Sequence, residues 1–148
     1  MDNTECIIHF LIENGADFEV IQQDKPILSV QDAREYYDVE KIAPVFILQT
    51  DNQLIAFIKS INSGRIDFSQ LKSLLNCKCV EMAKPDIIKQ QVGYEVGVIP
   101  LVGLSLPAVF DNKLLDHDYI YGGIGDMFST LKILPTDVIR LNNVIATL

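Results

Sequence analysis

Apolar positions recur with two different periods along this chain, and together they predict a mixture of helices and strands. Residues 3–14 carry apolar side chains at helical spacing and stop at Gly15. The same reasoning predicts helices at 30–37, 68–75, 84–91 and 138–144, and strands at 18–22, 45–49, 54–59, 78–82, 119–121 and 130–134. Helices and strands alternate irregularly, so the pattern favours an α+β fold over a doubly wound parallel sheet.

The strands at 45–49 and 54–59 predict an antiparallel hairpin, because Asp51 and Asn52 between them tolerate a positive φ. If these two residues form the turn, the numbers of facing residues add up to 103, and residue 44 faces residue 59. Both strands are apolar on both faces, which is typical of strands covered on two sides or rolled into a barrel.

The longest uncharged stretch, residues 96–110, is predicted to lie in the interior. Gly97, Pro100, Gly103 and Pro107 interrupt it every three or four residues, so its backbone bends repeatedly. Glycine lets the main chain approach a ligand and proline fixes a bend, and this favours a pocket wall made of backbone groups. An ordinary strand and turn buried between sheets fits the same spacing.

The chain has 148 residues, of which 49% are hydrophobic and 22% charged, as expected for one globular domain over residues 1–148. No basic segment followed by an apolar one opens the sequence, and the prolines and glycines of 96–110 exclude a membrane helix there. We therefore expect a cytoplasmic protein without membrane partners.

Residues suited to metal or cofactor chemistry are sparse. The cysteines Cys6, Cys77 and Cys79 form no Cys-x-x-Cys pair, and His9 and His117 lie far apart in sequence. This pattern argues against a zinc site, and the chain has no phosphate-binding glycine-lysine loop. We predict neither a metal nor a cofactor, and we expect Cys77 and Cys79 to be buried on one face of a strand.

The stretch 93–103, with its Gly-Tyr-x-x-Gly-x-x-Pro-x-x-Gly pattern, resembles the signature of the YbaK/ProX family of aminoacyl-tRNA deacylases. The domain of this family is also inserted in bacterial prolyl-tRNA synthetases as an editing domain. The stretches 79–85 and 122–125 are similar to the flanking family sequence, and the similarity covers roughly residues 15–145. The resemblance implies a curved, mostly antiparallel sheet or an open barrel flanked by helices.

The resemblance also implies an activity, the hydrolysis of the ester that joins a wrong amino acid (alanine, serine or cysteine) to the 3′ end of a tRNA. Such an ester is already activated, so the protein mainly positions it and stabilises an oxyanion with backbone N–H groups. The expected partners are the acceptor end of a mischarged tRNA and, as a further candidate, an aminoacyl-tRNA synthetase. The expected pocket residues are Gly93, Gly97, Val98, Ile99, Pro100 and Gly103, with Gly123 on the opposite wall.

Two departures from the family pattern favour an alternative function, the binding of an aminoacyl-tRNA end, an amino acid or a nucleotide with weak or no turnover. Active relatives usually carry a lysine where this chain has Pro44, and many carry a tyrosine where it has Gln23. Because residue 59 faces residue 44 in the predicted hairpin, Lys59 is the candidate replacement cation. Lys59 could equally end its strand and point to solvent. Lys41 lies at an odd offset from Pro44 and is a poor substitute.

Charge is distributed unevenly along the chain, whose net charge is −8. Residues 59–89 contain six basic and three acidic side chains, so the remainder is strongly acidic. A duplex-binding protein normally has a broad basic stripe, and we therefore do not expect binding to duplex DNA. The basic stretch could hold the end of a tRNA acceptor stem, or it could be an ordinary solvated helical face.

Overall fold

The computed structural model describes residues 3–148 as an assembly of five α-helical segments and eight strands. The helices are α1 (Asn3–Glu13), α2 (Val30–Ala33), α3 (Phe68–Leu75), α4 (Pro85–Ile87) and α5 (Pro135–Arg140). The strands are β1 (Phe18–Gln22), β2 (Val45–Thr50), β3 (Leu54–Ile58), β4 (Val80–Met82), β5 (Pro107–Phe110), β6 (Ile120–Gly122), β7 (Ser129–Ile133) and β8 (Asn143–Thr147).

The strands form two sheets. A three-stranded antiparallel sheet has the order β1-β7-β6, and a five-stranded sheet has the order β4-β2-β3-β5-β8. In the larger sheet β4, β2 and β3 are antiparallel, whereas β5 runs parallel to both β3 and β8. The predicted α+β class with a mainly antiparallel arrangement is confirmed, and the described strands do not close into a barrel.

The predicted hairpin is confirmed in its register. Val45 pairs with Ile58 and Gln49 with Leu54, so the numbers of facing residues add up to 103. The Thr50 hydroxyl accepts hydrogen bonds from the N–H groups of Asn52 and Gln53, at 3.3 and 3.1 Å, and fixes the turn. At the other end the Lys59 N–H donates to the Pro44 carbonyl at 3.1 Å, so residues 44 and 59 face each other as predicted.

The larger sheet is covered on both faces, which explains the apolar character of both faces of β2 and β3. Ile47, Ala56 and Ile58 belong to the main core, which also takes in α1, α5 and the residues after Gly97. Leu48, Ile55 and Phe57 face a smaller core formed with α3 and Val80. Side chains alternate between the two faces of a strand, so neighbouring residues enter different cores.

Two predicted helices extend too far toward their C-terminal ends. The predicted helix at 30–37 begins after the Ser29 cap but is α-helical only to Ala33. Beyond Ala33 the chain departs from the helix. There the Tyr36 hydroxyl donates to Asp24, and the Tyr37 ring stacks on Tyr121.

The predicted closing helix at 138–144 is α5, which instead spans Pro135–Arg140, and residues 143–147 form strand β8. The β-branched residues of 143–147 favour a strand, and there they complete the backbone pairing of β5.

Two further stretches also differ from their predicted form. The strand expected at 78–82 begins only at Val80, because the Lys78 N–H donates to the Asp51 side chain. The two cysteines expected to be buried are not: Cys79 is exposed and Cys77 is half-buried. The helix expected at 84–91 is one α-helical turn followed by a π-helical turn, which ends at Gly93 with a φ of 91°. Between Asn3 and Leu148 no helix is long and apolar enough to span a membrane.

Candidate functional site

A cavity of about 290 Å³ lies where the two sheets approach the irregular segment that precedes β5. Four stretches form most of its wall, and five single side chains complete it. The stretches are 27–30, 42–46, 96–99 and 121–123, and the single residues are Ala33, Tyr37, Asp126, Ser129 and Thr130. The wall is mainly apolar, and its polar groups come from few side chains and from the backbone.

A tight turn places the 96–99 loop (Val96–Ile99) on this cavity. The Val98 N–H donates to the Glu95 carbonyl at 3.3 Å, and Gly97 in the turn has a φ of 101°. A Cβ on Gly97 would lie 2.1 Å from the Leu28 carbonyl oxygen, so only glycine fits. The close contact between these two backbones joins the 96–99 loop to the 27–30 wall.

The amides of Gly97 and Ile99 have no hydrogen-bond partner among residues 3–148. Both residues line the cavity. The amide between them, that of Val98, is not available because it donates to the Glu95 carbonyl. Gly97 is exposed, so water can bind its amide, whereas Ile99 is buried, where unpartnered backbone N–H groups are rare. Donors of this kind can stabilise negative charge that develops on a carbonyl oxygen.

Gly123 was expected on the opposite wall, but its backbone lies directly against the 96–99 loop and lines the cavity beside it. A Cβ at Gly123 would lie 2.3 Å from the Ile99 carbonyl oxygen, so glycine allows the two backbones to meet. The Gly123 carbonyl accepts from the Leu101 N–H at 3.0 Å, and the Val98 carbonyl accepts from the Gly125 N–H at 3.0 Å. The 96–99 loop and the segment around Gly123 are therefore joined by backbone hydrogen bonds.

The structure brings only part of the sequence-predicted set to the cavity. Gly97, Val98, Ile99 and Gly123 line it. Pro100 lies behind the wall in a bridge to Gly123, and Gly93 ends the π-helical turn. Gly103 is exposed and does not line the cavity.

Pro44 lines the cavity, whereas Lys59 does not. Lys59 contributes to a second cavity, and its Nζ donates to the Ser60 carbonyl at 2.9 Å. The ammonium group lies on the β5 side of β3, within the influence of Asp111, and burial lowers the pKa of Lys59. The prediction that Lys59 brings its amine to the 96–99 loop is therefore wrong, although residues 44 and 59 do face each other.

Asp126 is the only charged side chain that lines the cavity within residues 3–148. Its carboxylate accepts from the Phe128 N–H at 3.1 Å and from the Ser129 hydroxyl at 2.8 Å. These bonds fix the carboxylate in a turn just before β7. A cavity with one anion and no cation favours a ligand that carries a positive charge.

Gln23 does not line the cavity but supports it from behind. Its side-chain oxygen accepts from the Thr130 hydroxyl at 3.2 Å and from the Tyr37 hydroxyl at 3.5 Å. Its amide nitrogen donates to the Met127 carbonyl at 2.8 Å. Gln23 thus orients two cavity residues, Tyr37 and Thr130.

A cluster of tyrosines and lysines, here called the tyrosine cluster, adjoins the cavity. Tyr37 stacks on Tyr121 with ring centroids 4.4 Å apart, and Tyr119 meets Tyr121 edge to face at 5.4 Å. The Nζ atoms of Lys41 and Lys132 each lie 4.0 Å from the Tyr119 ring centroid. Burial, together with the Tyr119 hydroxyl, raises the pKa of Tyr121 to about 12, so this hydroxyl stays protonated at neutral pH.

Sequence reasoning missed Tyr37, Asp126 and Thr130, because no local motif marks them and long-range pairing brings them together. The stretch 122–125, similar to the family sequence, was the one signal close to Asp126. Within residues 3–148 no group of three His, Cys, Asp or Glu side chains could hold a metal ion.

The sequence matches the family model of the aminoacyl-tRNA editing domain over residues 24–141. No curated protein sequence matches the chain.

Two solved structures share the fold. Hypothetical protein APE2540 superposes with a TM-score of 0.86 at 21% identity, covering 95% of this chain and 96% of its own. A proposed trans-editing enzyme for prolyl tRNA synthetase superposes with a TM-score of 0.83 at 18% identity, covering 99% of this chain and 95% of its own.

Proposed function

The chain belongs to the aminoacyl-tRNA editing domain family, and from this premise we propose that it removes a small amino acid from the 3′ end of a mischarged tRNA by ester hydrolysis. One observation carries the proposal. The 96–99 loop brings the unpartnered amides of Gly97 and Ile99 to a mainly apolar cavity. That arrangement suits an ester carbonyl whose oxygen gains negative charge as it reacts.

In the proposed reaction a water molecule attacks the ester carbonyl carbon, and the electron pair of the carbonyl moves to its oxygen. The N–H groups of Gly97 and Ile99 donate to this oxyanion. The tetrahedral intermediate then expels the ribose oxygen, which takes up a proton, and the free amino acid leaves. No lysine, histidine or cysteine lines the cavity among residues 3–148, and Asp126 is assigned below to the α-ammonium group. The neighbouring ribose hydroxyl is therefore proposed to assist the proton transfer.

Asp126 is proposed to bind the α-ammonium group of the attached amino acid. Among residues 3–148 it is the single charged group of the cavity wall, and its carboxylate is held in place by the Phe128 N–H and the Ser129 hydroxyl. The apolar wall around it, including Phe46 and Ile99, would admit alanine, serine or cysteine and exclude larger side chains by steric conflict. Steric exclusion is needed because one methylene discriminates by only about 1–3 kcal/mol.

The tyrosine cluster is proposed to hold the terminal nucleotide of the tRNA. Tyr37 and Tyr121 line the cavity and also belong to an aromatic surface, and unpaired bases stack on such rings. Lys132 adds a positive charge near Tyr119, whereas the Lys41 ammonium is already paired with Asp118 at 3.1 Å.

The second candidate is binding without turnover. It is favoured by Pro44, which lines the cavity at the position of the family lysine and brings neither charge nor an N–H donor. The same cavity would then hold an aminoacyl end without accelerating its hydrolysis.

Timing the loss of ester from tRNAs charged with alanine, serine, cysteine and proline, with and without the protein, distinguishes the two functions. We expect faster loss from at least one of the first three. Binding of an aminoacyl-tRNA with an unchanged rate of ester loss would support the second function instead. Neither binding nor hydrolysis with any of the four would refute both.

The Asp126→Asn variant tests the substrate pose. We expect kcat/KM for the preferred aminoacyl-tRNA to fall about tenfold, the effect of roughly 1.4 kcal/mol. With the N-acetylated aminoacyl-tRNA, which lacks the α-ammonium group, we expect the original protein and the variant to be equal. A loss of equal size with both substrates would mean that Asp126 acts only on the structure.

A further inference from the structure

A second cavity, of about 220 Å³, shares no wall residue with the first. It lies between β3, α3 and the turn that follows β5. Three cationic side chains, Lys59, Arg65 and Lys113, and two carboxylates, Asp67 and Asp111, line it together with apolar groups such as Phe57. The family function proposed above makes no use of this cavity.

The two carboxylates of the cavity are already engaged. Asp111 accepts from the N–H groups of Ser60 and Lys113, at 2.9 and 3.1 Å, and from the Ser63 hydroxyl. Asp67 caps α3 by accepting from the Gln70 N–H at 3.0 Å. These bonds hold both carboxylates in fixed positions against the backbone, and neither carboxylate forms an ion pair with a cation of residues 3–148.

The cations, in contrast, have unused hydrogen-bond donors. Lys59 is only 7% exposed, and its Nζ donates to a single partner, the Ser60 carbonyl. Lys113 donates to the Asn62 carbonyl at 3.2 Å, and Arg65 has no hydrogen-bond or ion-pair partner among residues 3–148. None of the three forms an ion pair with a carboxylate of these residues.

A nearly covered ammonium without a direct ion-pair partner is costly, because the charge has lost water and gains only the more distant attraction of Asp111. Burial accordingly lowers the pKa of Lys59. The position of the side chain at the wall of a cavity offers a resolution, since a bound anion would supply the missing charge. Arg65 and Lys113 are exposed and can close over such an anion from the rim.

We infer that this second cavity binds a phosphate group, held by Lys59 at its base and by Arg65 and Lys113 at its mouth. Phosphate suits the site because a guanidinium donates to two of its oxygens at once and ammonium groups neutralise the remaining charge. The cavity volume accommodates a free phosphate ion or the phosphate of a mononucleotide, and Phe57 supplies an apolar surface beside it.

Titration of the whole chain with inorganic phosphate at constant ionic strength, followed by NMR of the backbone amides, tests the inference. We expect saturable shifts at Ser60, Ser63 and Lys113, three residues whose backbone or side chain surrounds the cavity. Adenosine 5′-monophosphate and adenosine form two further arms. Tighter binding of the nucleotide than of free phosphate identifies a nucleotide site, equal binding identifies a phosphate site, and adenosine should leave these three amides unshifted.

Two variants make the test decisive. Lys59→Met keeps most of the length of the side chain without its charge, and Arg65→Gln changes an exposed side chain that has no hydrogen-bond or ion-pair partner among residues 3–148. Each is expected to weaken phosphate binding about tenfold or more, whereas Lys72→Gln on the exposed face of α3 should not. Shifts that grow linearly with phosphate, or equal affinity in Arg65→Gln, would overturn the inference even if Lys59→Met failed to fold.

Discussion

Two separate constraints require glycine at position 97, a positive φ and a close contact with another backbone segment. Its φ of 101° strains any other residue, and an added Cβ would collide with the Leu28 backbone. Gly93 has a similar φ of 91° but open space where its Cβ would lie. Substitutions at Gly93 and Gly97 therefore distinguish the effect of backbone strain from the loss of the close contact between the 96–99 loop and the 27–30 wall.

We expect Gly93→Ala to lower the free energy of unfolding by about 1–2 kcal/mol, the cost of a left-handed conformation. Gly97→Ala should lower it further and also abolish deacylation, because Leu28 and the Gly97 amide must move apart. Denaturant unfolding and ester hydrolysis measure the two effects. Equal stability and activity in both variants would mean that the collision is relieved without cost.

Pro44 is the second residue at which a single change is informative. A lysine introduced there would bring an ammonium group to the cavity wall, and the main chain would keep its carbonyl bond to the Lys59 N–H. We expect Pro44→Lys to accelerate deacylation at least about tenfold, equivalent to roughly 1.4 kcal/mol of transition-state stabilisation. Pro44→Met, similar in length but uncharged, is the control in the same assay. Equal rates in the lysine and methionine variants would show that a cation is not what this site lacks.

At the scale of elements, the sequence predicts strands and turns that are determined by local residues, and it misses strands that form only by pairing with distant parts of the chain. The hairpin of β2 and β3 follows from strand periodicity and from Asp51-Asn52, both of which lie within the segment itself. Strand β8 does not, because residues 143–147 become a strand only beside β5, more than thirty residues earlier in the chain.

The candidate site divides in the same way. The bends at Gly97 are visible in the sequence, because glycine and proline act locally. Asp126 and Tyr37 reach the cavity only through the pairing of β6 with β7 and the turn after α2. Lys59 was placed correctly opposite Pro44, but its flexible side chain turns toward β5, and register alone does not determine that direction.

Asn142 connects α5 to the segment that continues from the 96–99 loop. Its side-chain amide donates to the carbonyls of Leu101 and Val138, both at 2.8 Å. We expect Asn142→Ala to lower the free energy of unfolding by about 1–3 kcal/mol, since two acceptors lose their partner. Deacylation should fall as well, because Leu101 lies two residues after Ile99. Asn143→Ala, at an exposed neighbour, is the matched control, and an equal effect in both would refute the connection.

At the scale of the whole molecule, the net charge of −8 opposes the approach of a polyanion. The basic side chains of 59–89 do not offset this at the first cavity. Lys59 and Arg65 line the second cavity, and Lys89 is paired with Glu95 at 2.8 Å. In the tyrosine cluster beside the first cavity, Lys132 has no carboxylate partner among residues 3–148, whereas Lys41 is paired with Asp118. Recognition of a tRNA would therefore depend on its terminal nucleotides more than on its stem.

This arrangement predicts a shallow dependence of tRNA affinity on salt. Each phosphate contact with a single strand contributes a slope of about −0.7 to the plot of log affinity against log salt concentration. With one or two such contacts, raising the salt from about 50 to about 200 mM should weaken binding only about 3- to 7-fold. Lys132→Gln should reduce the slope by about 0.7, while Lys72→Gln, far along the chain on α3, should leave it unchanged. A loss of affinity of about a thousandfold in the original protein would instead require many phosphate contacts, and the tyrosine cluster would then not be the principal contact.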